Sequence, residues 1–257
     1  MNLEKWQKQF FTIACGQTVS LIGSSAVQFA LIWWMAQETA SPMMLSLAGL
    51  VAFLPQLFLG PIAGVWIDRM KRKYVVIGAD LFIGLVAAVF AIFFAIGQPP
   101  VWTVCLVLGI RAIGNVFHTP AIQALIPMLV PQNALMQANG WSQFMQSGAF
   151  MLGPVVGALL FGAFSMPVIL LTDFIGSLVA SITVAVVKIQ EPGRNNVHYP
   201  NFLRELREGI AVFRMRPQLL HILLNAGICM IFYMPLSSLY PLMSSDYFHV
   251  NAFHGSI

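Results

Sequence analysis

Three ionisable side chains, Asp80, Arg111 and Asp173, each fall inside a long apolar stretch of this 257-residue chain. On insertion scales a charge at the centre of a membrane helix costs about 2.5–3.5 kcal/mol, so each must face a protein interior or a wet cavity. An arginine stays protonated at any physiological pH and holds a neighbouring carboxylate in its charged form. Two roles fit such groups: interior ion pairs or hydrogen bonds that fix helix packing, and proton coupling, in which helix movement changes a carboxylate's affinity for its proton. Arg111 is the strongest candidate for coupling, with Asp80 and Asp173 as the carboxylates. Counted at about 1.5 Å per residue, Arg111 lies near mid-membrane, Asp80 in the inner part of its span and Asp173 in the outer part of its own.

A second group joins an apolar helix to a charged turn. Gly60 and Pro61 are followed by Gly64, and Asp68 and Arg69 then open a run that includes Lys71, Arg72 and Lys73. Glycines four apart let a second helix approach closely. The basic residues serve equally as an orientation signal or as gating contacts. An acid at the start of such a turn can hold a helix N-terminus or an arginine and release it when the structure rocks. The spacing recurs as Gly153, Pro154 and Gly157, again in the second half of a helix.

These residues need membrane helices to position them. Of the chain, 58% is hydrophobic and 9% charged, against about 45–50% and about 25% in soluble domains. A soluble enzyme of this size could not bury so much apolar side chain. Apolar runs bounded by charge, proline or glycine predict seven spans, at 10–36, 44–66, 74–97, 101–127, 139–164, 167–187 and 219–243. The first is too long for a signal-peptide core. Spans one to three and four to six read as two inverted repeats, because the Gly-Pro break recurs in spans two and five, which cross in opposite directions. The predicted fold is an all-α membrane protein: a six-helix bundle over residues 1–187, a loop over 188–218 and a further helix within 219–257.

Apart from Arg111, all twelve remaining Lys and Arg residues of the thirteen lie in the N-terminus, the 68–73 turn or the 188–216 connection. Alternating crossings put these on one side, which the positive-inside rule makes cytoplasmic. Trp33, Trp34 and Trp102 are then expected at the outer interface and Trp66 at the inner one. In the long connection, Phe202, Leu203, Leu206, Ile210 and Phe213 recur at helical spacing, either as a helix on the membrane surface or as a solvated linker helix.

Other chemistries find little support. The net charge of +4 forms no nucleic-acid-binding face. Cys15, Cys105 and Cys229 stand singly, which indicates neither a disulfide framework nor a metal site. There is no HExxH pair, no Gly-x-Ser-x-Gly turn and no phosphate-binding glycine loop, so neither an enzyme nor a cofactor is expected. A seven-helix receptor would need its N-terminus outside, against the charge distribution, and span seven has no lysine for a retinal. A channel is disfavoured by the inverted repeat.

The Gly64-x3-Asp68-Arg69-x2-Arg72-Lys73 segment resembles motif A of the major facilitator superfamily, Arg111-x2-Gly114 resembles its motif B, and Gly153-Pro154-x2-Gly157 resembles the antiporter motif C. Motif C departs from the pattern at Ala149 and Ala158, where glycine is preferred. Stretches such as Val51-Ala-Phe-Leu-Pro55, Gly78-Ala-Asp80-Leu, Phe117-His118-Thr119-Pro120-Ala121 and Ser181-Ile-Thr-Val-Ala-Val-Val187 are similar to the macrolide-efflux (Mef-type) branch of drug exporters.

The resemblance implies a proton-driven antiporter of the bacterial plasma membrane, monomeric when complete, in which two six-helix bundles rock about a central cavity. A proton enters as a hydrophobic drug, a macrolide for this branch, leaves. Carried over by position, Asp68, Arg69, Arg72 and Lys73 are gating contacts, Arg111 is the coupling arginine, and Gly153, Pro154 and Gly157 form a helix interface. Family members have twelve spans. The chain is therefore expected to be the N-terminal bundle and the first helix of the second, as a fragment of a longer protein. The alternatives are a non-transporting fragment and a facilitator with a different small-molecule substrate.

Overall fold

The computed structural model describes residues 3–189, 211, 215, 217–244 and 248. The surface or linker helix expected over 202–213 lies almost wholly outside them. The described residues form seven long helices: α1 (Leu3–Thr39), α2 (Pro42–Arg69), α3 (Arg72–Ile96), α4 (Trp102–Leu129), α5 (Leu135–Ala163), α6 (Met166–Val186) and α7 (Pro217–Leu242). Each is long and apolar enough to cross a membrane.

The breaks have local causes. Ser41 caps α2 by accepting a hydrogen bond from the Met44 backbone N–H, with Pro42 at the first helical position. Ala40 closes the preceding turn with φ 44°, the left-handed conformation in which helices commonly end. Between α4 and α5 the break is shorter than the expected spans, 101–127 and 139–164, leave: a 3₁₀ turn, Gln132–Ala134, leads directly into α5 at Leu135. Asn139, where the span was expected to begin, lies inside α5 and lines an internal cavity.

Helix packing reveals the repeat more clearly than the sequence does. The main interfaces pair α3 with α6, α1 with α5, α2 with α4, α1 with α6 and α3 with α4. Exchanging α1 with α4, α2 with α5 and α3 with α6 maps this set onto itself. Consecutive helices within each repeat, such as α2 and α3 or α5 and α6, barely touch, so the bundle is not a series of hairpins. This is the packing of two interlocked inverted three-helix repeats. The described part of α7 lies against α2, where Gly49 admits Ser238 and the Met234 carbonyl.

Along the bundle axis the core has three layers. One apolar cluster joins Leu31, Met35, Phe90, Leu108 and Leu170. A second joins Phe10, Val76, Val116, Leu125 and Val184 at the other end. Between them α1, α3, α4 and α6 contribute the buried polar side chains Gln17, Asp80, Arg111, His118 and Asp173. The outer face is apolar, with Leu85, Ile92, Phe93, Phe144 and Ile182 exposed, as contact with hydrocarbon requires.

Two of the expected interfacial tryptophans are internal. Trp33 and Trp34 are 1% and 7% exposed, whereas Trp66 and Trp102 lie on the surface. The reason is the position of α1, which is flanked by α5 and α6. Trp33 stacks on Phe29 and Trp34 meets Phe94 edge-on. Burial of aromatic area in the bundle outweighs the interfacial preference.

Candidate functional site

The polar layer resolves into two clusters about 10 Å apart along the bundle, because its residues on α1 and on α4 are each separated by seven positions, at 1.5 Å per residue. In the first, the Arg111 guanidinium on α4 pairs through Nη1 with Asp173 Oδ2 on α6. The other oxygen of Asp173 accepts a hydrogen bond from Ser24 Oγ on α1 at 2.7 Å. Asp173 is wholly buried and Arg111 is 5% exposed, so each charge depends on the other.

The second cluster is built from Gln17 on α1, Asp80 on α3 and His118 on α4. Gln17 donates from Nε2 to Asp80 Oδ2 at 2.9 Å. His118 Nε2 lies 3.1 Å from Asp80 Oδ1 and 2.9 Å from Gln17 Oε1. Two acceptors facing one ring nitrogen place its hydrogen there. All three side chains are buried.

The clusters are related by the repeat. Exchanging α1 with α4 and α3 with α6 converts Ser24, Arg111 and Asp173 into His118, Gln17 and Asp80. Each contains one aspartate from a third or sixth helix, clasped by α1 and α4. Helix periodicity explains the placement: Gln17 and Ser24, like Arg111 and His118, are seven residues apart and therefore share a face. Small residues bring the helices close enough for short contacts. A Cβ on Gly84 would clash with Ser177 across α3 and α6, and one on Gly114 would lie 2.6 Å from Ile83 across α3 and α4.

A cavity of about 440 Å³ opens beside the second cluster between α1, α4 and α5. Gln17 and His118 form part of its wall, together with Gln123, Asn139, Gln143 and Gln146. It extends to Phe10 of α1 and Leu129 of α4, toward the end of the bundle that carries the α2–α3 turn. Asp80 lies behind His118, outside the lining.

At that turn Arg72 bridges to Asp68 at 3.3 Å, one helical turn earlier in the chain, and its Nη1 reaches the Ala124 carbonyl of α4 at 3.4 Å. Lys73 donates to the Ala185 and Val187 carbonyls at 2.7 and 2.8 Å, satisfying the exposed C-terminal end of α6. The turn thus fastens α2, α3, α4 and α6 at one end. Arg69 closes α2.

The two Gly-Pro segments differ in surroundings. Gly153 packs on Ser25, and a Cβ on Gly157 would come within 2.5 Å of the Ala26 carbonyl oxygen; both mark the α1–α5 interface around Pro154. Gly60 and Gly64, beside Pro61, have nothing within 4 Å of an added Cβ. Among the described residues no helix occupies the groove they leave on α2. No group of three or more His, Cys, Asp or Glu among the described residues could hold a metal ion.

Gln17, Ser24 and His118 are the site residues that sequence reasoning did not single out as sites. His118 carried a signal, since it is an ionisable residue inside a predicted span and lies seven positions from Arg111. Gln17 and Ser24 are common in membrane helices, and only the fold shows what they bind.

Residues 13–257 match the family model described as Major Facilitator Superfamily. The chain is 44% identical to macrolide efflux protein A of Streptococcus pyogenes over 253 residues, covering 98% of this chain and 62% of that protein. A macrolide efflux protein A from Enterococcus faecalis is 43% identical over 218 residues, covering 84% of this chain and 67% of that protein. The fold is similar, with a TM-score of 0.73 and 14% identity, to a bacterial homologue of the human lysosomal transporter Spinster in an inward-facing, unoccupied conformation; the match covers all of this chain and 59% of that one. The chain thus spans about three fifths of the length of the Streptococcus relative it matches.

Proposed function

Because the chain belongs to the major facilitator superfamily, we propose that it forms the N-terminal bundle, residues 1–187, the connecting loop, 188–218, and the first helix of the second bundle, within 219–257, of a drug exporter. The proposed exporter sits in the bacterial plasma membrane with its N-terminus in the cytoplasm and acts as a monomer. It moves a small hydrophobic drug, a macrolide, outward in exchange for protons. The observation that carries the substrate class is the 44% identity to a macrolide efflux protein along 98% of this chain.

The geometry supports a rocking mechanism. Substrate-driven rocking needs rigid halves with groups that bind differently in two states. The two cores and the polar layer between them make this bundle one packed unit. Asp68, Arg69, Arg72 and Lys73 at the α2–α3 turn are the gating contacts. Gly60 and Gly64 leave an open groove on α2 for a helix that docks in one state. The ionisable groups for proton coupling, Asp80, Arg111 and Asp173, lie in the interior layer, and the amide-rich cavity beside it gives a ligand hydrogen-bonding partners.

Drug accumulation in susceptible bacteria expressing the full-length protein tests this reading. Wild type should lower macrolide accumulation. Arg111→Ala and Asp68→Asn, compared with wild type at matched amounts in the membrane, should each restore accumulation to within about twofold of cells lacking the protein. Retained efflux in both variants would contradict the assigned roles, and no efflux by wild type would contradict the substrate.

A further inference from the structure

The two clusters have the same architecture and different charge chemistry. In the first, a carboxylate meets a guanidinium, which does not give up its proton under physiological conditions, so Asp173 faces a permanent cation. In the second, the repeat places glutamine where the first has arginine. Asp80 therefore has no permanent cation; its partners are an amide and an imidazole, both bonded to it. Histidine is the side chain whose ordinary titration falls between pH 5 and 8. The Gln17–Asp80–His118 cluster thus carries one negative charge with a neutral ring and none with an imidazolium.

Among the described residues the other charged groups lie away from this cluster: on α3, Arg72 and Lys73 stand about two turns before Asp80, with Arg72 reaching Asp68 and the Ala124 carbonyl and Lys73 the Ala185 and Val187 carbonyls. Helix α5, which forms the third wall of the cavity, has no ionisable residue; α6 has only Asp173, already paired with Arg111; and the acid and base of α2, Asp68 and Arg69, stand in its last turn. On α1 the cationic Lys5 and Lys8 lie more than two turns before Gln17, and on α4 the other charged group is Arg111 itself. Access comes from one direction, because His118 and Gln17 line the cavity and Asp80 does not.

We infer that Gln17, Asp80 and His118 form the proton-loading site of the transporter, with His118 taking and holding the proton from the cavity and the Asp80 carboxylate stabilising the imidazolium. Resting on the proton-antiport reading above, this adds a site where the proton is loaded to the coupling groups Asp80, Arg111 and Asp173. His118 Nε2 keeps its hydrogen toward Asp80 and Gln17. The incoming proton, delivered by cavity water, forms an N–H bond at the other ring nitrogen, Nδ1, which leaves an imidazolium beside the carboxylate. Loss of that proton to water restores the single negative charge. Gln17 is a positioning residue that orients both partners through its amide.

Full-length protein with ¹⁵N-labelled histidine, reconstituted in lipid, gives the direct test. NMR of the ring nitrogens, with His118 identified by its disappearance in His118→Gln, should show a change of protonation between pH 8.5 and 5.5. Asp80→Glu should preserve that change, and Asp80→Asn should hold the ring neutral throughout. A wild-type ring that stays in one state, or one that titrates identically in Asp80→Asn, would overturn the assignment. In proteoliposomes Asp80→Asn, at a position outside the cavity lining, should lose pH-driven macrolide transport by at least about tenfold while drug-for-drug exchange at equal pH continues. Equal loss of both would make the cluster a packing element and overturn the proposal. If wild type moves no drug while its ring titrates as described, the exporter reading fails and the proton site stands.

Discussion

At the residue scale, the buried charges act through mutual dependence. Asp173 is sealed among α1, α4 and α6 with two partners, one ionic and one a hydroxyl. Removing the cation leaves a carboxylate with no compensation, and breaking a buried pair in this way costs about 3–5 kcal/mol. Arg111→Met and Asp173→Leu alone should therefore each lower the melting temperature in detergent strongly. The double variant, which removes both charges, should recover more than half of the loss. Additive losses in the double variant would show that the two side chains do not depend on each other. Asp80, Arg111 and Asp173 were legible in the sequence, because a charge within an apolar run is conspicuous, whereas His118 was not singled out. Their partners were not: Ser24 and Gln17 become informative only when α1 is placed between α4 and α6.

At the element scale, close approach between helices is unevenly distributed. The α1–α5 interface depends on Gly153 and Gly157, whose added Cβ would meet Ser25 and the Ala26 backbone. Overpacking of this kind costs about 1–3 kcal/mol. Gly157→Ala should destabilise the bundle by that amount in thermal unfolding. Gly64→Ala, which meets nothing, should leave stability unchanged or raise it by up to about 1 kcal/mol, the helix-propensity gain of alanine. Equal destabilisation by both would contradict the packing described for α2 and α5. Sequence spacing made the two Gly-Pro segments look equivalent, and they do share a depth in their helices. Spacing alone does not fix the direction in which a face points; tertiary packing does. The same limit applied to Trp33 and Trp34, whose placement within α1 agreed with an interfacial role until neighbouring helices enclosed them.

At the scale of the whole molecule, the two ends of the bundle differ in charge. Lys5, Lys8, Arg69, Lys71, Arg72, Lys73 and Lys188 share one end, and the connections at the other carry no lysine or arginine. Seven spans and their breaks were legible because hydrocarbon thickness dictates their length; the interlocked repeat was only hinted at, since helix exchange between repeats leaves no local signature. The charge asymmetry predicts opposite exposure for Gln98, between α3 and α4, and Gln132, between α4 and α5. With the native cysteines replaced, Gln98→Cys should react with a membrane-impermeant thiol reagent in intact cells and Gln132→Cys only after permeabilisation. The reverse pattern would invert the orientation and the direction of transport. The central claim is that proton flow drives drug movement through this fold, and it is tested most directly with purified full-length protein in proteoliposomes carrying an imposed pH gradient and a radiolabelled macrolide. The account predicts drug accumulation on the acidic side, the side from which protons flow, against the drug's own gradient and abolished by a protonophore; correctly inserted protein that moves the drug equally with and without the gradient, or not at all, would contradict it.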